Sequence, residues 1–482
     1  MQDTIVLYPS TGMGHLVSMV ELGKLILRHN HHLSVRVLLT TSPHEPSTTT
    51  SYTNHITRTN PSLTFHRFPP LSTPQDTSPT RSGAAIAFEF LRLNTPNVLN
   101  ALQSISTTST IKAFVIDLFC TSSLHVASDL NIPTYYFFTS GAAVLVAFLY
   151  LPTLHKQNTQ SYKDLTDTYF HFPGLPPIRA PHMPEPMLDR DDPAYHDFIY
   201  FTSHLPKSKG ILTNTFEALE PKAIKVIAEG ACVPDAPIPP VYYIGPLIAD
   251  AHGRAEGGDG GGTVECLSWL DAQPSRSVVY LCFGSRGTFS AAQLKEIAIG
   301  LERSGKRFLW VVRSPPLTEE EVRTRSSGRY GEPDLGALLP EGFLGRTKDR
   351  GLVVKTWAPQ VEVLSREAVG GFVTHCGWNS VLEAVYAGMP MVAWPLYAEQ
   401  HLNRAVLVED MKVAMPIEQA EDGFVSADEV EKRVRALMDS EKGREIREQI
   451  GKMRKEAAAA WEVGGTSRVG FTKLTESWNG HN

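Results

Sequence analysis

His15 closes the segment Ser10-Thr11-Gly12-Met13-Gly14-His15, between an apolar run and a helical pattern, and Asp117 stands inside the apolar run Phe114-Val115-Ile116-Asp117-Leu118-Phe119. An imidazole at the mouth of a helix can take a proton near neutral pH. A carboxylate in a strand buried on both faces needs a partner. If neighbouring strand ends bring the two together, the carboxylate fixes the imidazole tautomer and stabilises the imidazolium, the arrangement of a general base and its orienter. The competing readings are a histidine bonded within its own turn and an aspartate capping a loop amide.

The glycines of that turn also raise dinucleotide binding, which the sequence disfavours. A G-x-G-x-x-G turn needs a third glycine where Val17 stands, and no acidic residue follows about 20 residues later at the end of the second strand.

The elements that must position these groups are short apolar strands alternating with helical patterns. Strands are expected at Thr4–Pro9, Val35–Thr40, Ala113–Phe119, Pro133–Thr139 and Gly210–Thr215, with Leu16, Met19, Leu22 and Ile26 at helical spacing after the first. The scheme repeats at Ser277–Gly284, Arg307–Arg313, Gly351–Trp357, Gly370–Gly377 and Met389–Pro395. Ser290 and Gln293 form a capping-box pair ahead of Leu294, Ile297, Ala298 and Leu301. Two doubly wound α/β domains follow, with ligands expected in a cleft at the carboxyl ends of their sheets. The domains are read as 1–247 and 264–460. They are joined by a glycine-rich linker at 248–263, and a C-terminal helix at 461–482 packs back on the first domain.

Serine-, threonine- and proline-rich stretches at Thr41–Ser62 and Phe68–Ser82 read as surface loops or disordered segments. His171–Pro186 is either a connector or the rim of an apolar pocket, since it carries Phe172, Leu175, Ile178 and Met183.

The length of 482 residues, with 42% hydrophobic and 20% charged residues, is that of a two-domain globular protein. A formal charge of −6 provides no basic field for nucleic acid or an anionic membrane. The opening residues MQDTIVLYPS read as a strand rather than a secretory leader. The apolar run Ala142–Leu151 is half the roughly 20 residues that a membrane span needs, so it reads as a buried helix. Five cysteines without metal-ligand spacing fit a reducing, cytoplasmic setting. A monomer is expected.

From Trp357 to Gln400 the chain reads WAPQVEVLSREAVGGFVTHCGWNSVLEAVYAGMPMVAWPLYAEQ. This stretch resembles the signature of plant family 1 UDP-glycosyltransferases. The likeness extends to the His15 turn, Asp117, Tyr136-Phe137-Phe138-Thr139-Ser140-Gly141, Asn214-Thr215-Phe216-Glu217 and Cys282-Phe283-Gly284-Ser285. It implies the GT-B fold, two Rossmann-like domains facing across a cleft. LYPSTGMGHLVSMVELGKLI and YYFFTSGAAVLVAFLYLP resemble the branch acting on flavonoids, chalcones and dihydrochalcones.

The resemblance implies a UDP-sugar site whose parts make physical sense. Trp357 offers a flat face for uracil, and base stacking on an aromatic is worth roughly 1 to 3 kcal/mol. Ala358 supplies backbone contacts and Gln360 reaches the ribose. His375, Trp378, Asn379 and Ser380 lead into a helix whose amides favour a diphosphate. His375 either hydrogen-bonds the phosphates or carries positive charge toward them. Glu383 contacts the ribose hydroxyls, or else forms an S-x-x-E capping box with Ser380. Ser285 helps hold the phosphates, and Glu399, Gln400 and Thr139 complete the donor set. In relatives glutamine at the place of Gln400 usually accompanies glucose, with xylose and galactose as alternatives, and Trp378 in place of arginine argues against glucuronate. The acceptor walls are Met13, Leu118, Phe119, Leu145, Met183 and Tyr200. Arg286 and Arg366 depart from the pattern.

The implied reaction is inverting, metal-free transfer of glucose from UDP-glucose to a phenolic hydroxyl. No cofactor is permanently bound, His15 is the base and Asp117 its orienter. C-glucosylation of an aromatic carbon would use the same base. The rivals are a non-catalytic UDP-sugar sensor, which needs neither His15 nor Asp117, and an NAD(P) dehydrogenase.

Overall fold

The computed structural model describes residues 2–41, 47–71, 82–249, 260–316 and 332–479. Its strands in chain order are β1 (Gln2–Tyr8), β2 (Ser34–Leu39), β3 (Leu63–Arg67), β4 (Ser109–Asp117), β5 (Thr134–Phe138), β6 (Tyr169–Phe170), β7 (Ile178–Arg179), β8 (Gly210–Thr213), β9 (Val241–Tyr243), β10 (Val278–Cys282), β11 (Arg307–Val312), β12 (Gly351–Lys355), β13 (Val369–Thr374), β14 (Met391–Ala393) and β15 (Ala414–Pro416). Among the described residues, one sheet runs β3-β2-β1-β4-β5-β8-β9 and the other β12-β11-β10-β13-β14-β15. Every pairing in both is parallel. The central strands are apolar on both faces because helices cover both faces of a parallel sheet. Ile116 pairs with Tyr8 and Tyr136, for example, and all three are fully buried.

The chain divides into two compact units. One comprises Met1–Ala249, Tyr397–Asn403 and Glu456–Asn482, and the other Asp250–Leu396 and Arg404–Lys455. In the first, Phe471, Leu474 and Trp478 of the helix Thr466–Asn479 join a core with Ile5, Val35, Val115 and Tyr135. In the second, Trp310 and Trp394 are fully buried with Val279, Leu281 and Val373. Residues 397–403, read from the sequence as part of the second domain, group with the first unit. There Ser140 Oγ donates to Glu399 Oε1 at 3.4 Å, and His401 stacks on His182 at 4.2 Å.

Some expectations are corrected. The segment Thr41–Ser62 is no plain loop, because Ser47–Thr59 is a helix with Tyr52, Thr53 and Ile56 buried. A crossover between the parallel strands β2 and β3 demands such an element, and its packing overrides poor helix propensity. In the linker, residues 250–259 lie outside the described residues, and Gly260 already opens the helix Gly260–Asp271. Most of Phe68–Ser82 also lies outside them. The segment His171–Pro186 buries Phe172, Ile178 and Met183 and contributes β7 to a two-stranded hairpin with β6.

The capping box at Ser290 is half realised. Ser290 Oγ accepts from the Gln293 amide at 3.2 Å, but the Gln293 carboxamide pairs with both backbone groups of Val425 at 2.8 Å. The Ala142–Gln157 helix is almost wholly buried. Among the described residues, no helix is long and apolar enough to cross a membrane. The five cysteines are buried, and none forms a disulfide among the described residues.

Candidate active site

In each sheet the strand order reverses at one place, between β1 and β4 in the first unit and between β10 and β13 in the second. Helices leave such a pair on opposite faces, and a crevice opens at the carboxyl ends of the two strands. His15 and Asp117 stand at the first of these places, and Ser285 and His375 at the second.

In the first unit, β1 runs through Gly12, whose φ of 105° is a conformation open to glycine, into the helix Met13–His29. His15 lies in the first turn of that helix, and Asp117 is the last residue of β4. Their side chains meet, with His15 Nδ1 2.7 Å from Asp117 Oδ2. The histidine is 31% exposed and the aspartate 1%. The second carboxylate oxygen accepts from the Phe119 amide at 3.1 Å. The aspartate therefore both caps the turn after β4 and contacts the imidazole. A neutral imidazole that donates Nδ1–H to this carboxylate keeps its lone pair on Nε2.

Thr139 follows β5, the neighbour of β4, and its Oγ1 lies 3.4 Å from His15 Nδ1. The structure thus groups it with the histidine. An aromatic cluster lies beside the pair. Phe119 meets the His15 ring edge at 5.6 Å, and Phe88, Phe198 and Phe201 pack on Phe119 at 5.1 to 6.1 Å.

Of the expected acceptor walls, Phe119 is beside His15, while Leu118, Leu145 and Met183 are buried. Met13 is partly buried and accepts from Thr49 Oγ1 at 3.7 Å through its sulfur. Tyr200 is 41% exposed and packs on His204 and Phe201. Its neighbour Phe201 carries the contact to Phe119. Residues 198 and 201 are three apart on the helix Pro193–His204 and so share a face, a spacing that could have flagged them. Phe88, Phe198 and Phe201 escaped the sequence reading.

In the second unit, β13 leads through His375 and Cys376 into the helix Trp378–Ala387. Cys376 adopts a φ of 64° and Thr356, just before Trp357, a φ of 68°. Left-handed backbone at non-glycine residues is costly and gathers where a site imposes it. His375 is 6% exposed and wedged between two glycines. A β-carbon on Gly284 would stand 2.5 Å from its Nε2, and one on Gly377 2.4 Å. Burial lowers its pKa to about 4. Without an anion beside it the imidazole is then neutral at physiological pH, which favours the hydrogen-bonding role over the cationic one.

The helix begins at Trp378 with Gly377 as its cap, so Ser380 is already inside the first turn and no capping box forms with Glu383. Both side chains turn instead to one amide. Gln360 Nε2 donates to Ser380 Oγ at 2.8 Å and to Glu383 Oε2 at 2.7 Å, all three residues being buried. Ala358 and Trp378 are buried, Trp357 and Asn379 half-buried, and Ser285 exposed in the turn after β10. Arg286 is exposed, and Arg366 pairs with Asp271 at 3.1 Å. Gln400 is buried with its oxygen accepting from the Tyr397 amide at 3.0 Å, in the same segment as Glu399.

Residues 261–455 match the family described as UDP-glucoronosyl and UDP-glucosyl transferase. The chain is 58% identical to UDP-glycosyltransferase 88F3 of Pyrus communis, over 99% of its own length and 100% of the relative's. The chain belongs to plant family 1 of the UDP-glycosyltransferases. It is 55% identical to phloretin 2'-O-glucosyltransferase of Malus domestica, again over 99% and 100%. The structure of Phytolacca americana UGT2 complexed with UDP-2fluoro-glucose and pterostilbene superposes with a TM-score of 0.86 at 36% identity, covering 99% of this chain and 100% of that one. The transferase accordingly has the GT-B fold of two Rossmann-like domains, uses a UDP-sugar donor, and catalyses glycosyl transfer.

Proposed function

We propose that this glycosyltransferase moves glucose from UDP-glucose to a hydroxyl of a flavonoid, chalcone or dihydrochalcone, with inversion and without a metal. The observation that carries the reading is the 2.7 Å contact of His15 with the buried Asp117. A phenol has a pKa near 10 and needs a base at neutral pH. His15 Nε2 takes the phenolic proton, and Asp117 stabilises the imidazolium that results. The oxygen forms its bond to the anomeric carbon as the bond to UDP breaks, and the electron pair leaves with the diphosphate. Attack opposite the leaving group turns an α-linked donor into a β-linked product.

The roles toward UDP rest on the second unit. Trp357 stacks on uracil, while Gln360 and Glu383 bind the ribose. The first-turn amides of the helix Trp378–Ala387, with Ser285, Asn379, Ser380 and neutral His375, take the diphosphate. Helix amides in place of acidic metal ligands are the ground for a metal-free reaction. Glu399, Gln400 and Thr139 read the sugar. The aromatic cluster of Phe88, Phe119, Phe198 and Phe201 beside His15 favours a flat acceptor ring. The 55% identity to a relative named for phloretin glucosylation supports the dihydrochalcone class.

The test is mass-resolved product analysis with UDP-glucose and a panel of flavonoids and dihydrochalcones, phloretin included, for the wild type and His15→Ala. A gain of one hexosyl residue that requires His15 is expected, in a linkage cleaved by acid. An acid-stable product would replace O- with C-glucosylation. Donor binding with no glucosylated acceptor would replace the enzyme reading with a UDP-sugar sensor.

A further inference from the structure

Glu220 is a buried acid outside the reaction as derived so far, 3% exposed at the start of the helix Pro221–Ala228. Its carboxylate serves another element. The helix Ala142–Gln157 opens at Gly141, which has no side chain with which to cap it. Glu220 supplies the cap from 78 residues away, with Oε2 accepting from the Ala142 amide at 2.8 Å and Oε1 from the Ala143 amide at 2.9 Å. A carboxylate there satisfies two orphan amides and complements the helix dipole.

The turn in front of this helix is pinned from a second side. Thr213 Oγ1, at the end of β8, donates to the Ser140 carbonyl at 2.8 Å, with both residues buried. The side chains that face the chemistry stand at and just before the Ser140 anchor. Thr139 Oγ1 is 3.4 Å from His15 Nδ1, and Ser140 Oγ donates to Glu399 Oε1 at 3.4 Å. Both contacts are long, at the edge of hydrogen-bonding range, so a small shift of the turn would end them.

We propose that Glu220 is a positioning residue for glycosyl transfer: with Thr213 it fixes the Thr139–Gly141 turn, and through that turn it sets the His15 imidazole and the Glu399 carboxylate. The inference rests on the reading of His15 as the base. Glu220 touches neither substrate, and the helix cap is the means by which it acts.

Glu220→Gln tests this at nearly constant shape, because it removes the charge and turns one of the two acceptors into an N–H₂ that opposes an amide N–H. We expect kcat/KM to fall about 10- to 100-fold, the scale of a small misplacement in a preorganised site, with a displaced pH profile. UDP affinity, measured by titration, is expected to stay within about twofold of wild type because its residues lie in the other unit. In a His15→Ala background the same change is expected to cost almost nothing further, as befits residues acting as one unit.

A folded Glu220→Gln enzyme with wild-type kcat/KM and pH profile, or losses that multiply with those of His15→Ala, would reduce Glu220 to a helix cap and overturn the proposal. If Glu220→Gln does not fold, Thr213→Val decides. It deletes only the Ser140 anchor, and an unchanged rate and pH profile would overturn the proposal in the same way. Wild-type turnover by His15→Ala would instead overturn the base reading itself, an outcome distinct from a failure of Glu220 alone.

Discussion

Gly284 leaves the space that the His375 ring occupies. A β-carbon at position 284 would stand 2.5 Å from Nε2 and 2.7 Å from Cε1 of that ring, at a backbone φ of +74°. The two residues follow β10 and β13, adjacent strands on either side of the point where the strand order reverses. The glycine lets a buried imidazole lie against the turn that we propose receives the diphosphate.

Gly284→Ala therefore meets both a clash and a left-handed backbone. We expect it to destabilise the protein by about 1 to 3 kcal/mol and to weaken UDP binding about 10-fold or more by displacing His375. Thermal unfolding and UDP titration on the same samples check this. Unchanged UDP affinity would separate His375 from the phosphate site.

Asp117→Asn keeps the shape of the strand end but offers His15 Nδ1 an amide in place of a carboxylate. An asparagine can stabilise the wrong tautomer and cannot neutralise the imidazolium. We expect kcat to fall about 10²- to 10⁴-fold while UDP affinity holds. Initial rates across a series of acceptor concentrations measure it, and a loss confined to KM would argue that the aspartate acts on acceptor binding.

His375 gives stability a pH dependence whose sign follows from its burial. Burial lowers the folded pKa to about 4, against an ordinary value of 6.5. Between these values the unfolded chain binds more protons, so stability falls as pH drops from about 6.5 to about 4. The full effect is of the order of 3 kcal/mol. His375→Gln is expected to flatten that part of a plot of Tm against pH. An equal slope in the variant would assign the acid sensitivity to other groups.

Gln360→Glu would place a second carboxylate 2.7 Å from Glu383. Two acids that close cannot both ionise. We expect the KM for UDP-glucose to rise about 10-fold or more at pH 8, with partial recovery near pH 5.5 as the pair takes up a proton. A pH-independent KM would show that the glutamine amide is not needed where the donor binds.

Much of the fold is written in local pattern. The strands that carry the site are continuous apolar runs because both their faces are covered, and such runs are legible one at a time. The strands missed are those whose signal is faint. Leu63–Arg67 is an edge strand that is largely exposed beyond its first residue, and Val241–Tyr243 and Ala414–Pro416 are three residues long. The helix Ser47–Thr59 was hidden by eight serines and threonines among its thirteen residues. Its existence follows from the crossover it must make, which no local window contains.

The sequence by itself determined the residue types with chemistry to offer: a histidine after a glycine turn, an acid in an apolar strand, and the Trp357 to Gln400 signature. It also determined that they sit at strand ends of two doubly wound sheets. Only the tertiary structure decided which of them meet. The Ser380-Val381-Leu382-Glu383 segment has the lettering of a capping box, yet the helix begins three residues earlier and both side chains go to Gln360. Phe88, Phe198 and Phe201 come from two separate helices to surround Phe119, and Glu220 reaches across the first unit to cap a helix that starts with glycine. Strand and helix period are set by neighbours a few residues away, whereas the partner of a buried polar group or ring is set by which elements pack together, and that depends on the whole chain.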